Sequence, residues 1–192
     1  FQLSTCLTHE GFDVFITPGD LPKEQVDYYY GIGTEVKTVT PLVKRVDTWN
    51  KTPEKKAYFG IAEDSSIMTT ISNHLDARLT RDMCRCISEI LKKSPKTYYM
   101  PMGRVMDQEE LRKGFLSEVQ DRVIFLGPQE NPIHLSRSMS LYLNDFPMSS
   151  GFGLLDAMRG GCPVVSMGYK KIDGGSVYLG RDRVINSGKS EE

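Results

Sequence analysis

Short apolar runs alternate with amphipathic segments over most of this chain, and that alternation constrains the fold more than any other feature. Residues 13–17, 66–71, 97–102, 123–127, 140–144 and 163–167 read as strands. They are apolar without a clean period of two, as strands covered on both faces of a parallel sheet are. Residues 79–93 place Leu79, Met83, Ile87, Ile90 and Leu91 on one helical face, with Arg81, Arg85, Glu89 and Lys92 elsewhere. Residues 107–119 repeat this with Leu111, Phe115, Leu116 and Val119, opened by Asp107 as a cap. The class this predicts is α/β, a Rossmann-like doubly wound parallel sheet.

The composition shifts before residue 57. Segment 31–56 is rich in Thr, Lys, Gly and Pro, without helical period, and reads as loop. Segment 10–30 reads as one strand and a helix from Lys23 to Tyr30, with Tyr28, Tyr29 and Tyr30 suited to packing, an interface or stacking on a ligand. The expected organisation is therefore 1–46 as the tail of a preceding domain, 47–56 as linker and 57–192 as a second domain. A start at Phe1 instead of Met fits a processed or excised piece.

With 24 Lys and Arg against 25 Asp and Glu, no basic stripe points to nucleic acid. No apolar run is long enough for a transmembrane segment. Cys6, Cys84, Cys86 and Cys162 form no disulfide framework and read as cytoplasmic thiols, with Cys162 buried at a strand start. His9, His74 and His134 lack metal spacing, there is no Asp-x-Asp pair, and no metal site is expected.

Ligands of open α/β sheets bind at the carboxyl ends of the strands, and three such ends carry polar or Gly-rich loops. After 66–71 comes Ser72-Asn73-His74-Leu75-Asp76-Ala77-Arg78, with Arg78 at or just before a helix start. A cation there opposes the helix dipole, and a bound phosphate would offset that. The alternative is a solvent-facing Arg beside a turn built by Asn73 and Asp76, with His74 a turn residue. After 123–127, Gly127, Pro128 and Gln129 form a turn whose backbone can read a base edge, or simply join strand to helix.

The third loop runs Ser149-Ser150-Gly151-Phe152-Gly153-Leu154-Leu155-Asp156, closed by Gly160-Gly161 and followed by Pro163. As a plain strand–helix–strand unit it explains the closing glycines. Ser149 and Ser150 as caps, and Gly151 and Gly153 as points of close approach, fit a phosphate seat at the helix start better. Asp156 is expected opposite Leu154, Leu155 and Met158, where its carboxylate can accept from a ribose hydroxyl.

Taken together, these residues resemble the donor-binding, C-terminal half of a GT-B glycosyltransferase fold. The likeness is to the O-GlcNAc transferase/SPINDLY-like family and its bacterial relatives that glucosylate adhesins. It runs over about 57–168, and more loosely over 12–30. Tyr58-Phe59-Gly60-Ile61-Ala62-Glu63-Asp64 is similar to the entry into the first donor-domain strand. In Asn73 to Leu79, Arg78 stands where the family has a diphosphate-binding Lys. Asp145 to Asp156 resembles the phosphate loop, with Asp156 at the position of a ribose-binding Asp. The family offers Thr, Asn or His side chains where this chain has Gly151, Phe152 and Gly153.

The resemblance implies a UDP-sugar donor as co-substrate, no cofactor, and metal-independent transfer to a protein or glycan acceptor. Arg78 would stabilise the leaving diphosphate. Asn73, Gly127, Pro128, Gln129, Ser149, Ser150, Gly151, Phe152, Gly153 and Asp156 would bind the donor. The rest of the acceptor domain would be a required partner, so the fragment alone is expected to be weakly active or inactive. The alternatives are a GT-B sugar-nucleotide epimerase and a catalytically silent accessory subunit, the latter favoured by the bare Gly151-Phe152-Gly153 loop.

Overall fold

The computed structural model describes residues 52–54, 56–145 and 151–168, the strand segments 14–17, 35–38 and 185–186, and single positions 23, 27, 31 and 33. The chain divides into two compact units, Phe1–Arg45 and Val46–Glu192. In the first, β1 (Val14–Thr17) and β2 (Glu35–Thr38) pair in parallel, Val14 opposite Glu35. Lys23, Asp27 and Gly31 between them are helical, as a parallel crossover requires, and Lys23 pairs with Asp27 one turn on. Tyr28, Tyr29 and Tyr30 lie outside the described residues.

Segment 31–56 is not all loop, since β2 lies within it. Glu35 and Lys37 are exposed, and Val36 is half-buried. A strand with so little apolar content is made by its partner's ladder and leaves no hydrophobic pattern to read. At the other end of the segment, residues Lys56–Phe59 form a 3-10 turn. Glu54 meets His134 at 3.1 Å, and Lys56 donates to the Ser138 carbonyl at 3.0 Å.

The second unit is built on β3 (Ser66–Thr69), β4 (Thr97–Tyr99), β5 (Leu141–Leu143) and β6 (Val164–Val165). Their order is β4-β3-β5-β6, all parallel, with Met68 opposite both Tyr99 and Leu141, and Tyr142 opposite Val164. The 123–127 run lies beside β4, but as separate bridges, Tyr99 to Val123 and Met102 to Gly127, rather than a continuous strand. Ile124 and Leu126 donate to the Tyr99 and Pro101 carbonyls, and Gly103 donates to the Gly127 carbonyl. Between the first two of these bonds, residue 101 would donate to the carbonyl of residue 124, and proline has no N–H to do so. The 163–167 strand divides at buried Ser166, which accepts from Asn144 at 2.9 Å; β7 (Met167–Gly168) then pairs with β8 (Ile185–Asn186).

Neighbouring strand residues serve two cores. Met68, Tyr99 and Leu143 enter one cluster; Ile67, Met100 and Tyr142 enter the other. The period-two split shows that both faces are covered, which is why the strands read as uniformly apolar.

Short helix α1 (Leu75–Arg78) follows β3, and α2 (Arg81–Lys93) then crosses to β4. Thr80 caps α2 by accepting from the Met83 amide, and Met83, Ile87 and Leu91 are fully buried beneath it. Leu79 is buried in the same core but lies outside the helix, two residues short of the expected start.

The helix expected over 107–119 is two pieces: α3 (Gln108–Arg112), capped by Asp107, and a 3-10 turn Ser117–Arg122. Between them Gly114 lies against Cys84, where a Cβ would sit 3.2 Å from Sγ, and the Leu116 amide donates to Ser88. Those contacts with α2 break the helix while Phe115 and Val119 still reach the core. On the other face sit α4 (Pro132–Ser136) and α5 (Phe152–Arg159). Cys84 and Cys162 are buried free thiols whose pKa burial raises to about 11, and Cys86 is exposed.

Candidate nucleotide site at the carboxyl ends of the sheet

The sheet has one place where its winding reverses. From β3 the chain passes to β4 on one side; from β5 it passes to β6 on the other; β3 and β5 are neighbours. The crevice outside their carboxyl ends is where open α/β sheets bind ligands. Three loops bear on this end of the sheet, following β3, the 123–127 run and β5.

The loop after β3 is held rigidly. Ser72 donates to the Met102 carbonyl at 2.9 Å, and the Leu75 amide donates to the Arg104 carbonyl. Leu75 is fully buried, and the Asp76 carboxylate accepts from the Met106 amide. Asn73 and His74 are exposed, and His74 makes no side-chain cap.

Arg78 does not stand at a helix start. It closes α1, three residues ahead of α2, at a helix end that suits a cation. Its guanidinium lies 3.1 Å from the Asp145 carboxylate, and the Arg78 side chain is 15% exposed against 0% for Asp145. The chain itself therefore compensates this charge, and no phosphate is needed to offset a dipole penalty.

Beside this loop, Gly127 turns at φ 70° while accepting the Gly103 amide. Gln129 folds back to donate to the Leu126 carbonyl at 2.6 Å, and Pro128 is exposed. Gly103 is the unexpected member. At φ +143°, a Cβ there would lie 1.6 Å from the Ser72 carbonyl oxygen, so only glycine lets these strand ends meet. Its trace in the sequence is a lone glycine two residues after Pro101.

The third loop leads into α5. Ser149 and Ser150 lie outside the described residues. Gly151 occupies the N-cap position and has no side chain to cap the helix. The buried face is Gly153, Leu154 and Ala157, continued by Gly160; Leu155 is half-buried and Met158 is exposed, so the expected Leu154-Leu155-Met158 face is rotated. The close neighbour of that face is α4: a Cβ on Gly160 would lie 2.7 Å from the Ile133 carbonyl. Packing on α4 and the sheet sets the rotation, which helical period alone left open.

Phe152 is 57% exposed at the first turn of α5, one turn before Asp156. Residues four apart share a helical flank, so ring and carboxylate face the same side. Asp156 is half-buried, and that burial raises its pKa, with Arg159 pulling the other way.

Asp145 enters the sequence reading only as the first residue of the phosphate-loop stretch, with no role of its own. It stands two residues beyond β5, and its one outward sign is an acid directly after an apolar run. Among the described residues, no group of three His, Cys, Asp or Glu is placed to hold a metal ion.

No family model and no curated protein matches the chain. Solved structures do. A point mutant of the Thermobaculum terrenum O-GlcNAc transferase is similar at TM-score 0.58 and 16% identity, over 88% of this chain and 33% of that one. The pneumococcal O-GlcNAc transferase GtfA, solved with UDP and GlcNAc, gives TM-score 0.61 and 16% identity over 92% and 34%. Anabaena Alr3699/HepE, solved with UDP and glucose, gives 0.59 and 15% over 81% and 44%.

The fold is that of the GT-B glycosyltransferases. At these identities the likeness is one of fold, and the chain spans 33–44% of the length of these GT-B proteins. Among the described residues, no helix is long and apolar enough to cross a membrane.

Proposed function

We propose that residues 57–192 are the donor-binding half of a glycosyltransferase, with 1–46 the tail of its acceptor-side domain and 47–56 the linker. The donor is a UDP-sugar and the acceptor a protein or glycan. The observation that carries this reading is Arg78, buried to 15% exposure where the loops after β3 and β5 meet. Two GT-B neighbours, solved with UDP and a sugar, supply the ligand class.

In this reading the breaking glycosidic bond leaves its electron pair on the diphosphate. Arg78 and the N–H groups at the head of α5 stabilise that charge without a metal. Asp156 accepts from a ribose hydroxyl. Asn73 and the Gly127-Pro128-Gln129 turn line the nucleoside end, and Ser149, Ser150, Gly151 and Gly153 bring donors to the phosphates. The protein works in the cytoplasm, and the chain alone transfers little sugar because it spans only 33–44% of the length of the GT-B proteins it resembles.

A UDP titration of the chain beside Arg78→Ala and Asp156→Ala tests this. Each change is expected to weaken binding about tenfold or more, the usual scale for a lost charge-assisted hydrogen bond. Unchanged affinity in both variants would sink the site. A second reading, a silent accessory subunit, is favoured by the bare Gly151-Phe152-Gly153 start of α5 and the exposed Phe152. Failure of the unaltered chain to bind UDP, beside tight capture of a partner protein, would select it.

A further inference from the structure

We infer that Asp145 is a positioning residue: it holds the Arg78 guanidinium in a set orientation at the β3–β5 crevice, making Arg78 a preorganised diphosphate clamp. This rests on the donor-site reading above and deepens it. Asp145 follows β5 and Arg78 follows β3, so their ion pair joins the two strands across the winding reversal.

The backbone under Arg78 is already fixed. Leu75 and Leu79 are buried on either side of it, and Asp76 accepts the Met106 amide. What remains loose in such an arrangement is the long side chain, whose rotamer freedom a ligand would otherwise have to remove. The charge of a fully buried carboxylate 3.1 Å from the guanidinium restricts it in advance. Burial also explains why the partner is an acid: a cation at 15% exposure without a counter-charge is costly.

The pair therefore differs from a structural ion pair in a measurable way. Its effect should appear only with ligands that carry the diphosphate, and only through Arg78. The test is an NMR titration of the chain with UDP and with uridine, in wild type, Arg78→Ala, Asp145→Asn and the double variant.

Asp145→Asn keeps the volume and removes the charge. It is expected to weaken UDP about tenfold, leave uridine within about twofold, and add nothing in the Arg78→Ala background. Tighter UDP binding by Asp145→Asn would mean that Asp145 competes with the diphosphate, and the inference fails. Equal losses for UDP and uridine, or additive losses in the double variant, would make the pair merely structural and overturn it too. If Arg78→Ala leaves UDP affinity unchanged, the donor-site reading itself falls, a result distinct from the other failures. Should thermal melting show Asp145→Asn unfolded, Asp145→Glu keeps the charge, moves the carboxylate by one methylene, and carries the same expectations.

Discussion

Helices α2 and α5 belong to the same sheet and are built to opposite standards. α2 runs thirteen residues, opens on a Thr80 cap, carries Asp82 in its first turn and Lys92 and Lys93 in its last. Met83, Ile87 and Leu91 beneath it have no exposed surface. α5 runs eight residues, opens on Gly151, which has no side chain to cap it, exposes Phe152 and half-buries Asp156 at the expense of its charged form. Local signals and burial agree throughout α2 and disagree at the head of α5. Such disagreement is expected where binding, not stability, sets the residues.

That contrast can be broken most forcefully at the rim between the loops. Gly103→Ala puts a methyl group into the Ser72 carbonyl at 1.6 Å. We expect a loss of about 4 kcal/mol or more, the scale reserved for severe strain, read as a collapsed urea midpoint. A near-normal midpoint would show that the strand ends are not locked as described.

Next is Ile87→Ala, in the centre of α2. A fully buried isoleucine cut to alanine costs about 2–5 kcal/mol. UDP affinity measured on the folded fraction should stay as in wild type, because α2 is scaffold. A parallel loss of affinity would erase the division drawn here.

A smaller effect is expected from Thr80→Ala, which removes the hydroxyl that accepts the Met83 amide. The loss should be about 1 kcal/mol, measured by denaturant unfolding.

The smallest stability effect, and the most telling, is Asp156→Asn. Burial raises the Asp156 pKa, so between the unfolded and folded values the folded chain holds more proton than the unfolded one. Stability contributed by this group therefore falls as pH rises through that window, and the cost persists at neutral pH. Asp156→Asn removes it. We expect a slightly higher melting temperature at pH 7, with the gain vanishing as pH falls below the carboxylate range, and weaker UDP binding. A lower melting temperature at pH 7 would mean that the carboxylate is held by partners that favour its charge.

Much of the scaffold was legible in residue order. The 66–71, 97–102 and 140–144 runs, the α2 stripe, the Asp107 helix start and buried Cys162 all follow from short-range rules. Period, cap and turn act within a few residues, so a single chain displays them. The Gly161 turn at φ 79° after α5 is of the same kind. The three loops at strand ends were legible in the same way.

What only the tertiary structure decided is what those loops mean to one another. Whether β3 lies beside β5 depends on contacts such as Thr70 to the Leu143 carbonyl, 73 residues apart, which no local pattern records. β2 is invisible for the same reason, being made by β1. The rotation of α5 is set by α4 and the sheet, and the break after α3 by α2. Arg78 changes most. In the sequence it is a cation near a helix start awaiting a phosphate. In the fold it ends α1 against a buried Asp145, because two loops 67 residues apart meet at the one point where the sheet reverses.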